Sequence, residues 1–501
     1  MDLNNFKKFL IQNKEIIILL SIFILLYSFN LDKFPNVWGD EAWFSNPAYT
    51  LATLGILGTT MKAGGIANYT YWQPPVYFLL LAASFKLFGF GLIQARMVSV
   101  FLGFFTVLFT YLLGKRLYNK RIGLLASLLL IANPLFFYTS RQVRMDIAVV
   151  CFTLIALYYI YIALKDSKPV FYFISSLFAM LALLSHPNGL MGIIAIVLII
   201  LVYKVDLKAF KFNLKLKEII FFILGIILPL VPYLYYISLD FPEFKNQFMG
   251  NIGGSASSPL MNVISEPTRY ITLLSFLKIT TYPILLKVMI IAGIILTIWG
   301  LYYIFKDRGF NEKFLIIILL THTTLLAVVV VIKLNFWYLT MILPYWSILI
   351  VLPFKNKINL LKYRSIKSTF LKLTLVTFLI ISFFSIFVIL ATSTQYNYLQ
   401  IEDEVQQYIP EGSVIVGDPT YWIALQNKYI YYDHSNANLT NFREWNVEYL
   451  LYDNHWETFN PKDENQIAIK EFIKANATLI GVIKNNQDPG IGSINVYKVN
   501  K

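Results

Sequence analysis

Long apolar runs alternate with short basic segments from the N-terminus to about residue 391. Runs of roughly 15–23 residues, long enough as helix to cross about 30 Å of hydrocarbon, recur about eleven times. The pattern predicts spans near residues 16–30, 92–113, 122–140, 146–164, 170–184, 188–203, 219–238, 284–304, 314–332, 337–353 and 369–391. Residues 31–91 are long but not polar. Trp38, Trp43, Phe44 and Tyr49, then Tyr69–Trp72 and the run Val76–Leu87, stand between Gly and Pro breaks and predict helices lying in the membrane interface. Past residue 391 the period changes. Helices are predicted at 401–408 and 465–474 and strands at 413–416, 447–452, 478–483 and 494–499, separated by turn residues. The expected architecture is an all-α polytopic membrane domain over 1–391, with residues 31–91 as its first outer loop, followed by a small soluble α/β domain over 392–501.

Composition agrees: 57% hydrophobic and only 14% charged residues exclude an ordinary soluble protein. The net charge of +14 has three candidate meanings, namely nucleic acid, a membrane surface, or the loop bias that orients membrane helices. With the N-terminus inside, the segments on that side hold 23 Lys and Arg against 7 acids, among them the cluster Lys115, Arg116, Lys120 and Arg121. Residues 392–501 carry 8 bases and 14 acids. The basic charge therefore sets topology, and no nucleic-acid partner is expected. Lys7, Lys8 and Lys14 precede the first apolar run without a small-residue cleavage signal, so that run is read as an uncleaved span with a cytoplasmic N-terminus and an extracytoplasmic C-terminal domain. The sequons at Asn68, Asn438 and Asn476 fall on the outer side. The lone Cys151 removes any disulfide framework or multi-cysteine metal site.

Charged groups at a membrane face are costly and are functional candidates by default. Asp40 and Glu41 follow the first span, either as a helix cap and first-turn acid or as a general base at a dry outward site. Arg141, Arg144 and Asp146 share an outer hairpin. The plain reading is two arginines reaching the interface and an aspartate capping the next helix; the functional one is paired cations beside a carboxylate, suited to a phosphate. Gln73 and Tyr77 sit in Tyr71-Trp-Gln-Pro-Pro-Val-Tyr77, a turn stiffened by its prolines. His186, Arg269 and Lys333, the last before Asn335-Phe-Trp-Tyr338, complete the outer polar groups and read as a capped helix start and interface anchors.

Taken in order, Asp40-Glu41, Gln73-Pro-Pro-Val-Tyr77, Ala95-Arg96, the turn Gly114-Lys-Arg-Leu-Tyr-Asn-Lys-Arg-Ile-Gly123 and Arg141-Gln-Val-Arg-Met-Asp146 resemble the dolichyl-phosphate-mannose protein mannosyltransferases and lipid A aminoarabinose transferases of the GT-C superfamily. The motifs cover about residues 36–165, and Phe336–Pro344 is similar to a late segment of such enzymes. The resemblance implies a GT-C fold, a polyprenyl-phosphate-linked sugar donor, transfer at the outer face and inversion at the anomeric carbon. It implies Asp40 as the base that takes the acceptor's proton, with Glu41 or Asp146 in support. Some relatives place a Lys before the paired prolines, where this chain has Gln73. Arg144, Arg141 and Lys333, in that order, are then the candidates for the donor phosphate, with Gln73, Tyr77 and His186 as further substrate-binding residues. The acceptor is expected to be a lipid, glycan or protein. No cofactor is expected, although the carboxylates are of a type that a divalent metal accepts. The rival readings are a metal-dependent oligosaccharyltransferase-like enzyme, a transporter or flippase of lipid-linked sugars, and a receptor-like scaffold.

Overall fold

The computed structural model describes residues 3–61, 68–206, 211–253, 259–280, 282–328, 335–355, 366–393, 398–458, 463–484 and 493–500. Among them, eight helices are long and apolar enough to cross a membrane: Ile11–Ser28, Leu92–Leu117, Asp146–Asp166, Pro187–Lys204, Leu216–Ser238, Pro283–Asp307, Phe310–Val328 and Ser368–Thr392. The chain is an integral, multi-pass membrane protein. Helix Leu216–Ser238 leaves Ile223, Leu224, Ile227, Leu228 and Val231 exposed, an apolar surface that a bilayer covers and water would not.

Three predicted spans take other forms. The run at 122–140 is two helices, α5 (Lys120–Ala132) and α6 (Pro134–Thr139). Pro134 cannot continue α5, and the Asn133 side chain accepts from the backbone N–H groups of Leu135 and Phe136 to start α6. The run at 170–184 is a helix of only 15 residues, Pro169–Leu183. The run at 337–353 opens as a 3-10 turn, Phe336–Met341, before helix Leu343–Val351.

Two helices frame the candidate site. Helix α2 (Gly39–Leu54) carries Asp40 and Glu41 in its first turn, and α7 (Asp146–Asp166) begins at Asp146. Neither start has a side-chain cap, with Trp38 and Met145 at the cap positions, so the plain reading of Asp40 and Asp146 as capping residues is not what these carboxylates do.

The tail forms a five-stranded sheet of β1 (Val414–Gly417), β2 (Ile430–Asp433), β3 (Tyr449–Tyr452), β4 (Ala477–Ile483) and β5 (Ile494–Val499), in the order β2-β1-β3-β5-β4. Strands β2, β1 and β3 are parallel, with Ile415 opposite both Tyr431 and Tyr449, while β5 runs antiparallel to β3 and β4. Strand β2 is absent from the sequence expectation.

Alternation along the strands gives the sheet two apolar faces. Val416, Tyr432 and Leu450 pack with Trp456, Ile469 and Ile473 on one side. On the other, Ile415, Tyr431 and Leu451 join a core with Val37, Ala42 and Met61 of the first outer loop. The sheet and the loop thus share one hydrophobic core. Fully buried Trp422 stands at its centre, with ring centroids 5.3 Å from Phe90 and 5.8 Å from Tyr49. Trp422→Ala is expected to cost about 3–5 kcal/mol by leaving a cavity. Thermal or denaturant unfolding in detergent measures it, and a loss below about 1 kcal/mol would show that the tail is not packed on the loop in this way.

Candidate functional site

Asp40, Gln73, Arg144, Asp146 and His186 line one cavity of about 430 Å³ between the start of α2, the Tyr71–Pro74 turn and the start of α7. Arg144 organises it. Its Nη1 donates to Asp40 Oδ2 at 2.7 Å and its Nε to Asp146 Oδ2 at 2.8 Å, so one guanidinium bridges two carboxylates from different helices. Aromatic faces enclose the cation: its centre lies 4.7 Å from the Trp337 ring, 5.3 Å from Trp38 and 5.9 Å from Phe44. A delocalised, weakly hydrated guanidinium tolerates such a wall better than an ammonium would. Arg144 and Asp146 are buried, whereas the Asp40 side chain keeps 35% exposure and faces the open part of the cavity.

Three buried oxygens here, Thr59 Oγ1, Gln73 Oε1 and Asp146 Oδ1, meet no partner among the described residues. A buried acceptor of this kind costs free energy until something donates to it, which marks these atoms as ligand-facing. His186 Nδ1 accepts the Asn188 backbone N–H at 3.1 Å, so the neutral ring carries its proton on Nε2. Burial pushes the His186 imidazole below its ordinary range, with the Asp146 charge opposing and Arg144 adding to that shift, and keeps the ring a neutral donor near pH 7.

Other expected site residues lie elsewhere. Glu41 is fully buried and does not line the cavity. Arg96 holds it at both oxygens, at 2.9 and 2.6 Å, and the Val143 backbone N–H donates to it at 2.9 Å. Its role is to brace α2 against helix Leu92–Leu117 and the Arg144 hairpin. Arg141 does not line the cavity either. Its buried guanidinium donates to the carbonyls of Leu26, Tyr27, Phe29, Asn30 and Phe34, satisfying the chain where the first helix ends. Tyr77 is buried with its hydroxyl 3.0 Å from Ser99 Oγ and does not reach the cavity. Lys333 lies outside the described residues. Arg269, expected as an interface anchor, is instead buried and pairs with Glu266 at 3.0 Å and the Asn335 carbonyl at 3.1 Å.

Sequence reasoning missed the aromatic wall. Trp38, Trp43 and Phe44 read as membrane-interface residues and Trp337 and Tyr338 as the start of a span, and all five line the cavity. The signal available was proximity, since Trp38 and Trp43 flank Asp40 in the chain.

Residues 72–236 match the family model of dolichyl-phosphate-mannose-protein mannosyltransferases, a segment that holds Gln73, Arg144, Asp146 and His186. A protein of Aquifex aeolicus (strain VF5), described only as uncharacterized, is 26% identical over 179 residues, and the match spans 35% of either chain. Among solved structures, ArnT from Cupriavidus metallidurans bound to undecaprenyl phosphate superposes with a TM-score of 0.58 at 13% identity, over 84% of this chain and 86% of that one. The oligosaccharyltransferase AglB of Archaeoglobus fulgidus, in complex with an inhibitory peptide and a dolichol-phosphate, gives 0.56 at 15% identity, over 90% and 70%. At such identities the likeness speaks for the fold, which is shared along most of the chain. The protein has the fold shared by ArnT and AglB, and its residues 72–236 match the mannosyltransferase family model.

Proposed function

We propose that the chain is a glycosyltransferase that moves one sugar from a polyprenyl phosphate to a lipid, glycan or protein acceptor on the extracytoplasmic side. The observation that carries this reading is the Asp40–Arg144–Asp146 array in an aromatic-walled cavity. Solved relatives of the same fold hold undecaprenyl phosphate or dolichol-phosphate. Direct displacement needs a base for the acceptor proton and donors for the leaving phosphate. Asp40, the more exposed carboxylate, takes the proton as the acceptor oxygen bonds to the anomeric carbon from the face opposite the phosphate. The carbon–oxygen bond to phosphate breaks, its electron pair stays on the polyprenyl phosphate, and the configuration inverts. Arg144 and the His186 Nε2–H meet the charge that develops there, and Gln73 Oε1 and Asp146 Oδ1 accept from hydroxyls of the sugar or acceptor. Arg144, between the two aspartates, offsets one of their two charges.

Purified protein in liposomes, given synthetic polyprenyl phosphate carrying a radiolabelled sugar and a membrane extract as acceptor, is expected to transfer label. Donor binding without transfer would replace this reading with that of a transporter of lipid-linked sugars.

A further inference from the structure

A second cluster of side chains lies in the tail, outside the cavity. Asp418 directly follows β1, His434 directly follows β2, and His455 lies in the short helix Asn454–Thr458 after β3. All three sit at the carboxyl ends of the parallel strands, where open α/β sheets gather their ligands. Asp418 Oδ2 lies 3.4 Å from His434 Nε2 and is hydrogen bonded to His455 Nδ1, and the three ligating atoms all fall within 4.8 Å of one another. Neighbouring ligands on a tetrahedral ion with bonds of about 2.0–2.1 Å stand roughly 3.3 Å apart, so little movement is needed to close around one.

The supports of this cluster are those of a ligand set. The second oxygen of Asp418 accepts the Thr420 backbone N–H at 2.8 Å, which turns Oδ2 towards the imidazoles. The His434 ring stacks on Trp456 at 4.7 Å and 15°, Trp456 Nε1 donates to Gln466, and Gln466 donates to the His434 carbonyl. Asp418 and His434 have side-chain exposures of 2% and 1%, against 60% for His455. The cluster is therefore fixed on its inner side and open on its outer side.

We propose that Asp418, His434 and His455 form a binding site for a divalent transition-metal ion of the zinc class, with the fourth coordination position facing solvent. Two imidazole nitrogens and one carboxylate oxygen suit such an ion, whereas magnesium and calcium select oxygen. The site also joins the tail to the catalytic loop. Pro419 packs so closely on Gly39, the residue before Asp40, that a Cβ there would stand 3.0 Å from Pro419 Cγ, and the Asp433 N–H donates to the Met61 carbonyl at 3.2 Å. An ion bound in the folded state alone stabilises that state by mass action.

The test uses the full-length protein, stripped with a chelator and then given zinc(II) or cobalt(II). Wild type is expected to take up one equivalent of zinc by elemental analysis, to unfold at a higher temperature when loaded, and to show the visible absorption of tetrahedral cobalt(II). His455→Gln, at an exposed position that does not hold the fold, and Asp418→Asn are expected to weaken uptake at least about tenfold. Asp40→Asn and Asp146→Asn are expected to retain it, which separates this site from the carboxylates of the cavity. Uptake well below one equivalent by wild type, or equal uptake by His455→Gln and Asp418→Asn, would overturn the assignment.

Discussion

Asp40→Asn is expected to lower sugar transfer by about 10²–10⁴-fold, the range that a positioned general base supplies, while leaving a folded, membrane-inserted protein that still binds donor. Both halves of that expectation come from geometry. The side chain is partly exposed at the cavity and belongs to no cap of α2, so an amide of the same shape keeps the helix and can still accept from Arg144 Nη1. Arg144 also keeps its bond to Asp146 at 2.8 Å, so the bridge is reduced rather than lost. What disappears is the one cavity carboxylate with enough exposure to meet an incoming hydroxyl. Initial rates with saturating acceptor, alongside equilibrium binding of the labelled donor, separate loss of chemistry from loss of binding. Full activity of the variant would remove Asp40 from the role of base.

Groups that face the cavity were readable from the sequence to a different degree than groups that hold it in shape. Charged residues at a membrane face are few, so Asp40, Arg144 and Asp146 are candidates on cost, the family resemblance adds His186, and the structure gathers these four around one cavity. The same reasoning could not separate them from Glu41, Arg141 and Tyr77. Glu41 and Arg141 have the same chemistry as Asp40 and Arg144 and sit one and three positions from them, and their partners are distant: Arg96 is 55 residues from Glu41, and the carbonyls that Arg141 satisfies lie more than 100 residues back. Hydrophobic period finds helices, because it is local, but it cannot say which buried charge answers which. The tail shows the same limit. Strands β1, β3, β4 and β5 lay close to their expected places, yet nothing local tells that Ile415 and Leu451 share a core with Val37 and Met61. That shared core sets the helix carrying Asp40 against the sheet, and so makes the tail part of the framework of the cavity.

Glu41→Gln is expected to destabilise the protein by about 3–5 kcal/mol, the cost of leaving a buried charge without its partner. Arg96 and Glu41 are both fully buried; the amide offers one neutral oxygen where the carboxylate offers two charged ones, so Arg96 keeps the Leu31 carbonyl, at 2.8 Å, and one weaker side-chain acceptor while its other N–H faces an amide NH2. The Val143 backbone N–H loses a charged acceptor at the same time. Because that bond ties the Arg144 hairpin to α2, the damage falls on both walls of the cavity, and activity should fall as folding falls, not ahead of it. Cys151 offers a direct readout. It is the chain's only cysteine and is buried, so a thiol-reactive fluorophore reports unfolding in detergent. Glu41→Met combined with Arg96→Leu removes both charges and should recover most of the lost stability, since an apolar pair of similar volume avoids the desolvation that an ion pair only partly repays. A single Glu41→Gln variant that reacts with the fluorophore at the wild-type temperature, yet transfers no sugar, would instead return Glu41 to the chemistry.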